Sequence, residues 1–280
     1  MNKEEKIEYA HFLIEDITKW FLQKDEPYII LPDMEYLREV ITLYAKQSNL
    51  FESTLLLLEN NHAEEAFILL RSMLNNSMLI DYLCHDNDEK KRYREYMIQP
   101  LKSETAFLKN ISQGIKKGWI KSDYPTLESR IKNNEKILIK EGFIQTRGKK
   151  VRADTRLITI KSMADSDELL FAHYLAFYRE ASKYEHSDFA SLEIYRQTVV
   201  EEYPNTVAFI LDLSRTDPEL ELKVLNLSIT IYSLTFMRLL QHINNKHEHL
   251  IPEENKQSLT NIAVLISKSK GEFPLAEVNG

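Results

Sequence analysis

The residues best equipped for chemistry lie in the stretch YREASKYEH, residues 178–186. Arg179 and His186 are seven positions apart, nearly two turns of an α-helix, so a helix would place them on one face. Tyr178, Ser182 and Lys183 fall on neighbouring rows. Such a pair suits RNA cleavage without a metal. A histidine can move a proton to or from the 2′-hydroxyl or the leaving oxygen near neutral pH. An arginine can stabilise the charge that builds on the phosphorane. The same residues also read as a polar seam on a packed helix, with both side chains bonded to neighbouring carboxylates. The spacing Arg-x(4–6)-His is short, and roughly one match is expected by chance in a chain with 8 His.

Arg71 is the second candidate. It sits in an apolar run, AFILLRSMLNNSMLI, flanked by Phe67, Leu70, Leu74 and Met78. A charge there must be paired or must reach water along its aliphatic stem. It either bonds a carboxylate or carbonyls across the bundle, or points into the cleft of His186 and binds phosphate. Asn75 and Asn76, one turn on, could complete a polar pocket.

A third candidate is the basic stretch 142–156, which holds Arg147, Lys149, Lys150, Arg152 and Arg156 against Asp154. It reads as a solvated loop or as an electrostatic guide for RNA. HINNKHEH, 242–249, offers His242, His247 and His249, but their spacing matches no standard zinc pattern, so no metal is expected. Glu-x-x-His occurs at 59–62 in a turn, whereas a di-iron bundle needs two such motifs on helices. No Gly-rich phosphate loop, G-x-S-x-G, H-E-x-x-H or Cys-x-x-Cys is present, and no cofactor is expected. Cys84 is the single cysteine, which excludes an intrachain disulfide and a thiolate-rich metal site, and suits a reducing cytosol.

Helices must position these groups. The chain of 280 residues has only 6 Gly and 8 Pro, and this scarcity of breakers favours long helices. The expected class is all-α. Apolar residues at helical spacing predict helices over 3–24, 33–59, 63–84, 88–113, 125–141, 167–186, 217–247 and 253–269. Asp33 is the expected cap of the second. DSDE at 165–168 resembles a capping box, and Pro218 suits a first helical turn. The turn NNH at 60–62 makes 33–84 an antiparallel αα-hairpin. One short β element is expected near 206–213, in TVAFILDL. The whole, 1–280, reads as a single helical bundle with its core over about 33–250 and a frayed tail at 270–280.

The N-terminus lacks the apolar block of a signal peptide, and the most apolar run, 53–58, is too short to cross a bilayer. A cytoplasmic protein without a membrane partner is expected. Net charge is −7, which argues against a broad duplex-DNA face and tilts towards a selective RNA such as tRNA.

Two resemblances add to this. Arg179, a polar Glu180 directly after it, and His186 resemble the signature of the HEPN superfamily, all-helical nucleotide-binding domains of which many are metal-independent RNases in toxin–antitoxin and phage-defence systems. That resemblance implies Arg179 and His186 as catalytic residues, with Tyr178, Glu180 and Ser182 orienting them. It further implies a homodimer in which two motifs face one cleft, and an antitoxin or activator as partner. Residues 60–83, with Glu65-Ala66 and Arg71-Ser72, and 178–189, with Tyr178, Ser182 and His186, also resemble a bacterial family of helical proteins of unknown function. Asn75 stands where those relatives often carry Glu. The alternative to an RNase is a helical module that binds a nucleotide, an RNA or a protein, with Arg71, Tyr178, Ser182 and His186 as a buried polar network.

Overall fold

The computed structural model describes residues 1–22, 27–30, 32–85, 90–121, 124–147, 150–153, 158–165, 168–178, 181–182, 185, 192, 195–198, 208–211 and 217–273. The class is all-α. Two compact units are formed, one from Met1–His85 with Met163–Gly280 and one from Asp86–Ser162.

The larger unit is built on the hairpin of α2 (Glu35–Glu59) and α3 (Ala63–Cys84). Its turn closes with the His62 amide on the Leu57 carbonyl at 2.8 Å, and Asn61 takes the left-handed conformation that asparagine tolerates. Asp33 does not cap α2 as expected. It lies at φ 75°, and Met34 occupies the cap without a side-chain bond.

Against this hairpin lies α8 (Pro218–His247), begun by Asp217, whose carboxylate accepts from the amides of Glu219 and Leu220. Pro218 fits the first turn because no intrahelical donor is needed there. Tyr232 of α8 stacks on Tyr44 and Phe51 of α2, at centroid separations of 5.4 and 4.6 Å, and its hydroxyl meets Ser48 at 2.8 Å. Burying side chains of this size contributes roughly 1.5–3 kcal/mol each. By length and composition α8 alone among the described residues could cross a membrane, and 72% of its most apolar window is buried within the fold. Here it is the central helix of a bundle.

α1 (Lys3–Trp20) opens with a capping box between Asn2 and Glu5 and covers α8 through Lys6, whose ammonium donates to Asn226 at 2.7 Å. α9 (Glu253–Ser269) lies against α1, with the Tyr9 and Ser269 hydroxyls 2.7 Å apart. The apolar stretch 206–213 does contain a strand. β4 (Phe209–Leu211) pairs antiparallel with β3 (Arg196–Thr198).

The smaller unit packs α4 (Lys91–Lys116) on α5 (Leu127–Lys140) around Leu108, Leu127 and Ile131. Lys109 and Glu135 form an ion pair across them at 2.7 Å. α5 stops at Gly142, whose φ of 78° is the left-handed end that glycine supplies without strain. The basic stretch that follows is not a plain loop. β1 (Ile144–Arg147) and β2 (Lys150–Ala153) form an antiparallel ladder that sets Arg147 opposite Lys150 and Gln145 opposite Arg152. Lys149 and Arg156 lie outside the described residues.

After the short α6 (Ile160–Ala164), the helix expected over 167–186 starts as α7 (Glu168–His173) and then widens into a π turn, Tyr174–Tyr178. Such turns are uncommon and often mark functional segments. Residues 181–182 and 185 are again helical.

Candidate functional site

Arg71 projects from the middle of α3, between the buried Leu70 and Leu74 of its own helix. Its guanidinium donates to the Tyr178 hydroxyl at 2.8 Å and lies 4.7 Å from the centroid of the same ring. It also forms an ion pair with Glu185. The carboxylate is a partner of the kind the sequence called for to compensate this charge, while the cleft of His186 lies outside the described residues.

Tyr178 is itself held. Its ring stacks on Tyr174 at 5.4 Å with an interplanar angle of 22°. The Ser182 hydroxyl donates to the Tyr178 carbonyl at 2.9 Å, so its proton is committed to its own helix rather than to a substrate. Arg71, Tyr178 and Ser182 therefore lie in one locality. Arg179, Glu180 and His186 lie outside the described residues, as does Lys183; Tyr178 and Glu185 precede Arg179 and His186 directly in sequence.

Three polar atoms on one stripe of α3 are buried without a hydrogen-bond partner among the described residues: Glu64 Oε1, Arg71 Nε and Asn75 Oδ1. At 100° per residue, positions 64, 71 and 75 fall within about 40° of one another. Glu64 meets the far end of the same segment, accepting from the Tyr195 hydroxyl at 2.6 Å. Burial raises the Glu64 carboxyl, offset in part by that bond, while Glu65 and Asp217 add to the rise. Tyr195 is raised mainly by the bond it donates.

Glu185, Glu64 and Tyr195 were missed by sequence reasoning. For Glu185 a signal existed, because it follows Tyr178 by seven positions and supplies the carboxylate a half-buried arginine requires. For the Glu64–Tyr195 pair, 131 positions apart, the sequence carries no comparable cue.

A second polar cluster joins α2 to the end of α8. The Tyr36 hydroxyl lies 2.8 Å from Nε2 of both His242 and His247, donating to one and accepting from the other. Burial lowers His242 to about 4, helped by Lys246, His247 and His85. His247 is lowered too, again chiefly by burial. Among the described residues no three His, Cys, Asp or Glu side chains group as metal ligands would. Cys84 is buried, and burial pushes its thiol up, so it is inert as a nucleophile.

A family described as of unknown function, DUF5677, matches residues 39–202. The chain belongs to that family. No curated protein and no solved structure matches it. The DUF5677 span carries Arg71, Tyr178 and Glu185, together with the whole smaller unit. It ends before α8, so in this member the core helix against which α3 packs is contributed from outside the matched span.

Proposed function

We propose that this DUF5677 protein is a metal-independent endoribonuclease of the HEPN type, a cytoplasmic bacterial toxin or phage-defence effector that works as a homodimer. The observation that carries the reading is the reach of Arg71 to Tyr178 and Glu185, the residues directly before Arg179 and His186. On this reading Arg71 supplies a third basic group beside the motif whose spacing suits RNA cleavage.

The chemistry needs no cofactor. His186 removes the proton of a ribose 2′-hydroxyl, which attacks the adjacent phosphorus. Arg179 stabilises the phosphorane, and the 5′-oxygen leaves with the proton that His186 had taken up, giving a 2′,3′-cyclic phosphate. The basic ladder, with Arg147, Lys150 and Arg152, serves as a guide for the RNA backbone. The family model, being of unknown function, neither favours nor opposes this chemistry.

The test is incubation of the purified protein with total bacterial RNA in EDTA, wild type beside His186→Ala. Cleavage by wild type alone is the expected result. Equal activity, or none from either protein, rejects the ribonuclease.

One observation favours a second reading, a non-catalytic module for a nucleotide, an RNA or a protein. Arg71 is already matched by Glu185 and Tyr178, as a structural polar network would have it. Its mark is a His186→Ala protein that is inactive like wild type but melts lower, by roughly 1–3 kcal/mol for a buried group left unpaired.

A further inference from the structure

The two partners of Arg71 differ in their surroundings. Tyr178 is fixed by its stacking on Tyr174, and its carbonyl is tied to Ser182. Glu185 is the partner that opens to water, its side chain 39% exposed against 17% for Arg71. A guanidinium does not distinguish sharply between a carboxylate and a phosphate, since both present paired anionic oxygens to its fork of donors. An ion pair as exposed as this one is also weak, because water screens it and solvates the freed carboxylate.

We propose that Arg71 is a phosphate subsite whose resting occupant is the Glu185 carboxylate. A substrate phosphate takes the place of Glu185 on the guanidinium. The Tyr178 hydroxyl stays bonded to Arg71 throughout, holding the plane of the fork. Glu185 then acts as an internal mimic of the ligand. It keeps the charge of Arg71 compensated while the site is empty and sets a threshold that weakly bound anions do not pass.

The inference rests on the reading that a nucleic-acid phosphate enters this site, but its test does not need cleavage. Inorganic phosphate and a 5′-mononucleotide are titrated calorimetrically into the full chain in a buffer free of other phosphate and sulfate. Wild type, Glu185→Gln, Arg71→Ala and the double variant are compared. Glu185→Gln keeps the size of the side chain and removes its charge at a half-exposed position, so the fold is retained. It should bind phosphate about fivefold tighter than wild type, the worth of one partly exposed ion pair. Arg71→Ala should abolish that binding, alone and in the double variant.

Unchanged affinity in Glu185→Gln overturns the proposal, and so does a gain that survives Arg71→Ala. If Arg71→Ala is too unstable to titrate, Arg71→Lys replaces it: it keeps one charge, loses the fork, and should forfeit most of the gain. Tighter phosphate binding in a protein that cuts no RNA would keep the subsite and reject the ribonuclease. Cleavage lost in His186→Ala, with phosphate binding indifferent to Glu185, would do the reverse.

Discussion

The Arg71 guanidinium donates to the Tyr178 hydroxyl at 2.8 Å, joining the middle of α3 to the π turn across 107 positions of sequence. Tyr178 is the last residue of that turn, so the bond ties the turn itself to α3. Tyr178→Phe tests the bond with little else disturbed. The ring keeps its stacking on Tyr174 and its contact with the cation, and the hydroxyl alone is lost. The expected cost is about 1 kcal/mol in urea unfolding. Arg71→Ala also removes the ion pair with Glu185 and should cost about 2 kcal/mol, below the figure for a fully buried pair because Glu185 is partly solvated. In the double variant the two losses should fall short of adding, since both remove the same bond. Strict additivity would mean that the bond contributes nothing.

Asp81 and Arg238 make a deeper pair. The Arg238 guanidinium meets Asp81 at 2.7 Å between α3 and α8, and the Asp81 side chain is only 6% exposed. Arg238→Met keeps the aliphatic bulk but takes the guanidinium from a buried carboxylate that retains His85 at 3.5 Å, which costs about 2 kcal/mol. Asp81→Asn removes the charge and keeps hydrogen-bonding capacity, so it should cost clearly less. Equal losses from the two substitutions would show that packing, not the lost ion pair, sets the price.

The start of α8 offers a local test. The Asp217 carboxylate satisfies the Glu219 and Leu220 amides. Asp217→Ala should lower stability by about 1 kcal/mol, while Asp217→Ser, which can still accept, should lose less. A melting curve of each variant decides, and indistinguishable curves would mean that water caps the helix equally well.

The helices were legible because their signals are local. Apolar spacing and the NNH turn predict 63–84 and 253–269, and α3 and α9 occupy those ranges. What failed needed information from elsewhere in the chain. Asp33 looks like a cap by type, but its left-handed backbone puts Met34 at the cap instead. The basic stretch reads as loop because its charges hide the alternation of a ladder four residues long. The π turn has no signature in a period of 3.6. Within the candidate site, the locality of Arg71 and Tyr178 could be anticipated from a buried charge in need of a partner. The choice of Glu185 depends on how α3 and the segment after the turn lie together. The Tyr36 cluster was equally hidden, its partners standing 206 and 211 positions away.

That cluster sets a pH dependence. An exposed histidine titrates near 6.5, whereas burial holds His242 at about 4 in the folded protein. As pH falls below 6.5 the unfolded chain therefore binds a proton that folded His242 refuses. Stability from this group is complete above 6.5, declines as pH falls, and is fully lost below about 4. His247, lowered in the same direction, adds to the slope. The measurement is the urea midpoint between pH 7 and 5.5, above the range in which most carboxylates titrate. Wild type should lose stability across that interval, and His242→Gln, which cannot titrate, should lose less. Tyr36→Phe separates burial from bonding. It removes the shared hydroxyl and should lower stability at every pH, by about 1–2 kcal/mol for two imidazoles deprived of a partner, yet it leaves both rings buried and so preserves the slope. If the slope disappears with the hydroxyl, the bond rather than burial keeps His242 neutral.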